Sequence, residues 1–378
     1  MTLAPPTVSS PWRARAAQFA MREVAPLASR IDREDRVPDA LVRRLAEERF
    51  LGLGIPAEWD GAGGDTRATV AVLEELARAS SAVAVLVAVH LSVCAVPILT
   101  WGTDRQKERF LRPLARGAMV GAFGLTEPGA GSDTARIAMR YRREPSGFTL
   151  DGTKMFTSSG VSAGVILLFA TRDPAIGHQG ISAFLVPSDV AGFSVPQRFE
   201  KLGLRGSETT EILLQGVRLP LENLLGNEGE GLRVALGSLT GGRVGIASCA
   251  LGVAQAAFDE MVRSVRADDA DWKRTVLAQS YAELSAARVL IERAAERKDA
   301  GLPFVAEASA AKLVAARAAV SIASRGVDVA GAEGARAGAT AERLWRDARV
   351  FPIVEGTTEI QELILARSLV EDADGRKV

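Results

Sequence analysis

The chain has 378 residues, of which 47% are hydrophobic and 24% charged, so it is a globular protein rather than a disordered or fibrous one. Its 46 basic residues balance its 46 acidic residues, and a zero net charge provides no overall field that favours nucleic acid or an acidic membrane. This length exceeds one ordinary hydrophobic core, and we expect two or three domains.

Residues 1–118 have helical patterning and predict an N-terminal helical domain. In "DALVRRLAEERFLGLGIP", Leu41, Leu45 and Phe50 recur at helical spacing before glycines and a proline end the run. In "GTDRQKERFLRPLARG", Thr103 stands where a side chain caps the first turn of a helix.

The apolar stretch 82–101 is long enough to cross a membrane. However, His90 and Pro97 interrupt it and no Lys/Arg cluster flanks it, so we expect a buried core helix. The first residues lack the charged-then-apolar order of a signal peptide. Cys94 and Cys249 are far apart in apolar runs, which indicates buried free thiols in a reducing compartment. These observations predict a cytoplasmic protein.

Residues 119–228 change to short β-forming runs separated by glycine and proline. Asp151-Gly152 in "FTLDGTKMF" lies between β-formers, which is a hairpin signature. We therefore expect a small β domain, with strands at "GVILLFAT", "ISAFLVP", "FSVPQRF" and "TTEILLQGVRLP".

From residue 229 to residue 378 the helical period returns. The run "ASAAKLVAARAAVSIASRG", residues 308–326, is rich in alanine, and small residues allow helices to approach closely. Four such helical stretches predict a bundle. The whole chain is therefore predicted to be an α+β multidomain protein with helical, β and helical-bundle domains in that order.

Several kinds of catalytic site lack the residues they need. The chain has two histidines, of which His90 is predicted to lie in the core and His178 in a solvated loop. With two histidines and two cysteines, the chain has few residues that could form a Ser-His-Asp triad or a zinc site of His and Cys ligands, and we expect no bound metal. No P-loop occurs, and no Gly-x-Gly-x-x-Gly turn follows a strand and opens a helix.

Two loops combine glycine with hydroxyl side chains. "FGLTEPGAGSD", residues 123–133, has glycines that let the backbone approach a flat or phosphorylated ligand, with Thr126 and Ser132 beside them. "GTKMFTSSG", residues 152–160, presents Phe156 as an aromatic platform followed by three hydroxyls. On residue types alone, the first loop is equally interpretable as a turn between zones and the second as a loop edge.

The stretch "IVEGTTEIQE" places Glu355 after two apolar residues, with no basic residue in the run. Thr358 and Gln361 fit a capping box, so Glu355 precedes a helix. Apolar surroundings raise a carboxyl pKa, whereas a helix N-terminus lowers it. Two interpretations stay open from these residues, a general base for a weak carbon acid and a simple helix-capping acid.

"TEPGAGSD", "GTKMFTSSG" and "RDARVFPIVEGTTEIQELILAR", in this order and spacing, resemble the acyl-CoA dehydrogenase family, nearest its short-chain, butyryl-type branch. The resemblance runs from about residue 10 to about residue 370. It implies a helical domain, a β domain and a four-helix bundle, with FAD between the last two. It also implies a homodimer or homotetramer, and an electron-transfer flavoprotein as electron acceptor.

The resemblance also implies the chemistry. Glu355 would remove the α proton of an acyl thioester, and the β hydrogen would leave as hydride to the flavin. The Glu355 backbone N–H and a flavin ribityl hydroxyl would stabilise the thioester oxygen, and Gly356 would let the substrate pass close to the backbone. Arg243 matches an arginine near the substrate, and Gly242 stands where an isovaleryl-type enzyme carries its base.

Residues of this sequence that match the family motifs correspond to further substrate and FAD contacts of the family. Ser132, Arg243 and Gly356 correspond to substrate contacts. The residues that correspond to FAD contacts are Phe123, Leu125, Thr126, Gly131, Ser132, Phe156, Thr157, Ser158, Thr357, Thr358 and Glu359.

The sequence departs from the family pattern on the cofactor's cross-subunit side. Residues 265–274, "VRADDADWKR", replace an Arg-x-x-Phe-Gly stretch, and Asp328 and Ala332 in "DVAGA" replace a glutamine and a glycine near the FAD diphosphate. Thr240 replaces an acidic residue, and Val354 a tyrosine. The enzyme then either holds FAD differently or oxidises an acyl group on an acyl-carrier protein; a flavin-free binding scaffold is a third reading.

Overall fold

The computed structural model describes residues 11–267 and 269–373. The first part of the chain is helical, and short π and 3-10 turns join several of its helices. Its α-helices are α1 (Pro11–Phe19), α2 (Ala28–Glu34), α3 (Asp39–Glu47), α4 (Thr66–Ala79), α5 (Ser81–Val89), α6 (Val96–Trp101), α7 (Asp104–Gln106) and α8 (Arg112–Ala115).

The expected landmarks of this helical part are confirmed. Leu41 and Leu45 of α3 are buried, and Phe50 is buried in the turn that follows. The Thr103 hydroxyl caps α7 by accepting from the Gln106 backbone N–H, and the Gln106 side chain accepts from the Thr103 N–H. This capping box fixes where α7 begins.

Within residues 11–267 and 269–373, two helical segments are long and apolar enough to cross a membrane by length and composition alone, Ser81–Trp101 and Gly231–Ser264. However, 83% and 72% of their most apolar windows are buried inside the protein, as in core helices. His90 in the first segment is fully buried; its Nε2–H donates to the Leu51 carbonyl at 3.0 Å, and its Nδ1 accepts from the Gly121 N–H at 3.1 Å. The prediction of a core helix with a core histidine is confirmed.

The middle of the chain forms one mixed sheet. Its strands are β1 (Val120–Gly124), β2 (Arg140–Glu144), β3 (Gly147–Ser158), β4 (Ala163–Thr171), β5 (Ile181–Pro187), β6 (Phe193–Arg198), β7 (Thr209–Pro220) and β8 (Leu224–Leu225). The strand order is β6-β7-β3-β2-β4-β5-β8, and β1 pairs with β4 in parallel. The four predicted strands correspond to β4, β5, β6 and β7.

The hairpin predicted at Asp151-Gly152 is wrong. β3 continues through both residues, and the hairpin instead joins β2 to β3 across residues 145–146. Gly152 has φ +141°, which only glycine adopts readily, and the pairing of β3 with β7 shifts register there. The Asp151 carboxylate accepts from the Gly216 N–H on β7 at 2.6 Å. The Asp-Gly pair therefore makes a β-bulge.

The two faces of the sheet pack differently. On β4, Val165, Leu167 and Phe169 join a core with α6, α8 and the beginning of the next long helix. Ile166 and Leu168 point to the opposite face and join a second apolar cluster with β3, β5 and β7. This alternation explains the continuous apolar run in β4, because both faces of the strand are buried.

The last part of the chain is the helical bundle. Its helices are α9 (Gly231–Ser264), α10 (Asp271–Asp299), α11 (Val305–Ala335), α12 (Thr340–Ala348) and α13 (Thr358–Ala373). The predicted helix 308–326 lies within α11, which kinks at Gly331, where φ is +62°. α9 ends at Ser264 and α10 begins at Asp271, so the divergent connection is short, as expected.

One apolar core joins the first and last parts of the chain. It contains side chains of α4 and α5 together with side chains of α9, α10 and α11. The predicted fold class, helical, then β, then helical bundle, is confirmed. The domain boundaries predicted after residues 118 and 228 stay predictions.

Candidate active site

Glu355 lies in the loop between α12 and α13 and has a left-handed backbone conformation. Its φ is +57°, and φ of the following Gly356 is +93°. A left-handed non-glycine residue costs roughly 1–2 kcal/mol, and such strain persists only where the surroundings hold it in place. The carboxylate reaches α9 beside Gly242, where a Cβ atom would lie 2.8 Å from the Glu355 Cδ. No side chain fits at residue 242 while Glu355 keeps this position.

The Glu355 carboxyl group has a pKa raised to about 7. Its burial is the largest cause, and the nearby positive charges of Arg243 and Lys312 oppose it. Glu355 Oε2 is buried and has no hydrogen-bond partner among the described residues. Burial thus outweighs the two opposing cations and gives the raised pKa expected of a carboxyl group in apolar surroundings.

Two buried side chains hold the loop that carries Glu355. Lys312 on α11 is fully buried, and its ammonium donates to the Gly356 carbonyl at 2.7 Å. The Gln361 amide donates to the same carbonyl at 2.9 Å and to the Glu355 carbonyl at 3.3 Å. The sequence analysis did not predict these roles of Lys312 and Gln361. Lys312 could have been noticed as the single lysine in the alanine-rich run of α11.

The capping box predicted for Thr358 and Gln361 is wrong. Thr357 caps α13, because its hydroxyl accepts from the Ile360 N–H at 3.4 Å. The Thr358 hydroxyl donates to the Pro352 carbonyl at 3.4 Å. Gln361 is turned toward the loop carbonyls instead of the helix start, and it adds a second donor to the Gly356 carbonyl that Lys312 already binds.

The backbone N–H of Glu355 donates to no acceptor among the described residues. The Val354 N–H donates to the Val350 carbonyl at 3.2 Å and the Thr358 N–H to the Pro352 carbonyl at 2.9 Å, whereas the N–H groups of residues 355–357 have no acceptor among the described residues. A free N–H beside a carboxylate is the donor that a developing oxyanion needs.

The two hydroxyl-rich loops predicted from the sequence lie together. The Met155 N–H donates to the Thr126 carbonyl at 2.8 Å. The ammonium of fully buried Lys154 donates to the Leu125 carbonyl at 3.1 Å and to the buried Glu127 carboxylate at 2.6 Å. The Glu127–Lys154 pair, which the sequence analysis did not single out, thus fixes the loop after β1 onto β3.

Phe156 and Thr157 have features of a ligand-binding surface. Phe156 is 60% exposed although it is a large apolar residue, and its φ is +55°. Its ring packs against the ring of Phe199, at 5.1 Å between centroids. The Thr157 Oγ1 is buried and has no hydrogen-bond partner among the described residues. An aromatic face and an unsatisfied hydroxyl beside Leu125 and Thr126 fit the flat, polar-edged flavin ring of FAD.

The remaining predicted site residues occupy less distinctive positions. Phe123 is half-buried against Phe169, and Arg243 is buried on α9. The residues that face solvent wholly or in part are Gly131, Ser132, Ser158, Gly356, Thr357, Thr358 and Glu359. His178 is also exposed, as predicted.

A cavity of about 230 Å³ borders α9 on the side of α4 and α6, and Gly241 in its wall precedes Gly242, which the Glu355 carboxylate approaches. Gly241, Val244 and Gly245 of α9 form one wall. Leu91 and Leu99 add apolar surface opposite. Its size and lining suit a short acyl chain.

Family models match nearly the whole chain. "Acyl-CoA dehydrogenase, N-terminal domain" matches residues 10–118, "Acyl-CoA dehydrogenase, middle domain" matches residues 122–217, and "Acyl-CoA dehydrogenase, C-terminal domain" matches residues 229–370.

Similar proteins agree with these matches. The short-chain specific acyl-CoA dehydrogenase of Clostridium acetobutylicum is 36% identical over 358 residues, which cover 92% of this chain and 94% of that protein. The structure of butyryl-CoA dehydrogenase from Megasphaera elsdenii has a TM-score of 0.94 and 32% identity, with 98% of this chain and 100% of that chain covered. A prolyl acyl carrier protein oxidase structure has a TM-score of 0.90 and 27% identity, with 95% and 97% covered.

Proposed function

The chain belongs to the acyl-CoA dehydrogenase family, and on that basis we propose that Glu355 is the base that removes the α proton of a short acyl thioester. The protein is an FAD-dependent oxidoreductase acting on the CH–CH bond of acyl-CoA, which it converts to trans-2-enoyl-CoA. Bound FAD supplies the acceptor for the β hydrogen, which leaves as hydride.

The main support for this proposal is the burial of the Glu355 carboxylate without a hydrogen-bond partner. Oε2 is buried without a hydrogen-bond partner, so no donor has to be displaced before it takes a proton. Its pKa of about 7 leaves a substantial ionised fraction at neutral pH while making that fraction more basic than an ordinary carboxylate. A base of this strength suits a weak carbon acid.

The backbone beside the base prepares the substrate. The Glu355 N–H, free among the described residues, donates to the thioester oxygen and stabilises the negative charge that develops there. Gly356, with φ +93° and no side chain, leaves room for the thioester next to this N–H. Arg243 and Lys312 favour the ionised carboxylate and so limit the rise in its pKa.

The cofactor would be held between the sheet and the bundle. Phe156 and Thr157 would contact the flavin ring, with Leu125 and Thr126 along its edge. The other residues proposed to contact FAD are Phe123, Gly131, Ser132, Ser158, Thr357, Thr358 and Glu359. Ser132 would also reach the carrier arm of the substrate.

We propose an electron-transfer flavoprotein as electron acceptor and a homodimer or homotetramer as the assembly. A cytoplasmic location is supported by the bacterial origin of close relatives and by the buried free thiols of Cys94 and Cys249. The free thiols fit a reducing compartment.

The second candidate is dehydrogenation of an acyl group on an acyl-carrier protein. It is supported by the similarity to a prolyl acyl carrier protein oxidase and by the departures at Thr240 and Asp328. Butyryl-CoA and a butyryl-carrier protein, each mixed anaerobically with the purified flavoprotein, separate the two. Flavin bleaching by the carrier-bound acyl group alone would favour the second candidate.

Glu355→Gln tests the base directly. We expect this variant to retain FAD and to lose anaerobic flavin reduction by butyryl-CoA, because an amide cannot take the α proton. Glu362→Gln is the matched control, since Glu362 is exposed on α13 and pairs with Arg317. Reduction of Glu355→Gln at the wild-type rate would place the base elsewhere.

A further inference from the structure

The cavity that borders α9 at Gly241 has apolar wall segments and three charged side chains, Lys298 and the carboxylates of Asp65 and Asp299. Lys298, near the end of α10, lines the cavity, and its ammonium lies 3.5 Å from the point where a Cβ of Gly241 would stand. The absence of a side chain at Gly241 therefore leaves the ammonium open to the cavity.

Lys298 has no hydrogen bond or ion pair with any of the residues that the structure describes. Its burial lowers its pKa, and the charge of Asp299 opposes that shift. A partly buried ammonium without a partner is costly, and such groups in proteins are normally paired. The Ser92 hydroxyl, also on the cavity wall, is a second polar group without a described partner.

Two carboxylates near Lys298 are already engaged. The Asp299 oxygens accept from the backbone N–H groups of Thr66 and Arg67, at 2.8 and 3.2 Å. An Asp65 oxygen accepts from the Ala68 N–H at 2.7 Å. Both charges thus face the N-terminus of α4, whose helix dipole offsets them.

The base and the ammonium are within reach of one acyl chain. Gly241 and Gly242 are adjacent, and the Cβ position of Gly242 lies 2.9 Å from the Glu355 Oε1. Because consecutive Cα atoms are about 3.8 Å apart, the ammonium and the carboxylate lie within about 13 Å of each other. An acyl chain of roughly four to six carbons with its α carbon at Glu355 would reach Lys298 at its far end.

Given the thioester chemistry proposed above for Glu355, we propose that Lys298 binds a carboxylate at the distal end of the acyl chain. Ser92 donates a second hydrogen bond to the same group. The preferred substrates are then short dicarboxylic acyl thioesters rather than unbranched alkyl ones.

Glutaryl-CoA and pentanoyl-CoA, which have the same number of main-chain carbons, test this proposal. We expect the wild-type holoprotein to bind glutaryl-CoA at least about tenfold more tightly in anaerobic calorimetric titrations, because a hydrogen bond to a charged group contributes this much. Lys298→Met should abolish the preference, and Lys298→Arg should keep most of it.

Lys273→Met is the matched control. Lys273 lies on the same helix, about 37 Å from Lys298 along its axis, so the preference should persist in this variant. Tighter binding of pentanoyl-CoA by the wild type, or an unchanged preference in Lys298→Met, would overturn the proposal. Flavin bleaching of the wild-type holoprotein by each thioester is measured separately. Absence of bleaching by both thioesters would speak against Glu355 as the base. The binding preference would still decide the role of Lys298.

Discussion

Gly242 on α9 and Glu355 in the loop before α13 occupy one site: a Cβ at residue 242 would lie 2.8 Å from the Glu355 Cδ. Two separate elements thus converge on the position of the proposed base. A carboxylate can reach it from either element, but the structure has room for one side chain only. The glycine at residue 242 is a requirement of the glutamate at residue 355.

Gly242→Ala should displace the Glu355 carboxylate and lower kcat/KM for butyryl-CoA by about 100-fold, because a shift of about 1 Å at a reacting group costs that much. Gly326→Ala is the control, since its Cβ would meet the Ala257 Cβ at an ordinary 3.8 Å. Stopped-flow flavin reduction measures the effect. Equal rates in Gly242→Ala and the wild type would mean that the carboxylate acts from another position.

The pH dependence of kcat/KM should follow Glu355. The group must be ionised to take a proton, so kcat/KM should rise with pH through an inflection near the pKa of about 7 and then level off. Lys312→Met removes a cation that lowers this pKa, so the inflection should move to higher pH. Steady-state rates between pH 5 and pH 9 provide the measurement; an inflection that moves to lower pH would contradict the assigned charge interaction.

Lys154→Met should destabilise the fold by about 3 kcal/mol, because it leaves the buried Glu127 carboxylate without its cation. The double variant Glu127→Gln/Lys154→Met should recover part of the loss. FAD retention should fall in the single variant, since Lys154 also holds the Leu125 carbonyl. Urea unfolding and the ratio of flavin to protein absorbance check both effects, and a single variant as stable as the double one would show that the ion pair is dispensable.

Asp328→Gln should increase FAD retention. Asp328 is exposed on α11 before the kink at Gly331, and the family resemblance places this stretch near the FAD diphosphate. Removing a like charge at the surface should improve FAD affinity by about 1 kcal/mol, or about fivefold. Glu333→Gln, on the same helix and also exposed, is the control. Unchanged or lower flavin occupancy in Asp328→Gln would reject repulsion as the cause.

Much of the architecture was predictable because local pattern and tertiary structure agree. The helical spacing of Leu41 and Leu45 and the strand run of β4 both reflect burial that the sequence encodes directly. Asp151-Gly152 failed because the register of β3 against β7 decided its conformation, and register is a property of two strands.

The sequence indicates candidate site residues but not the electrostatics around them. Three motifs identified Glu355, yet the cations that act on it, Arg243 and Lys312, come from helices distant in sequence. Lys298 and Gly241 likewise meet only after α9 and α10 have packed. Side-chain contacts between remote segments determine charge balance, and no local pattern reports them.

The apolar core shared by α4, α5, α9, α10 and α11 ties the first part of the chain to the last. These helices are therefore expected to melt as one cooperative unit, although the whole β sheet separates them in sequence. A fragment that ends before α9 would leave one side of α4 and α5 without its packing partners. Such a fragment should aggregate rather than fold, so the amino-terminal helices become stable only after α9, α10 and α11 have been synthesised.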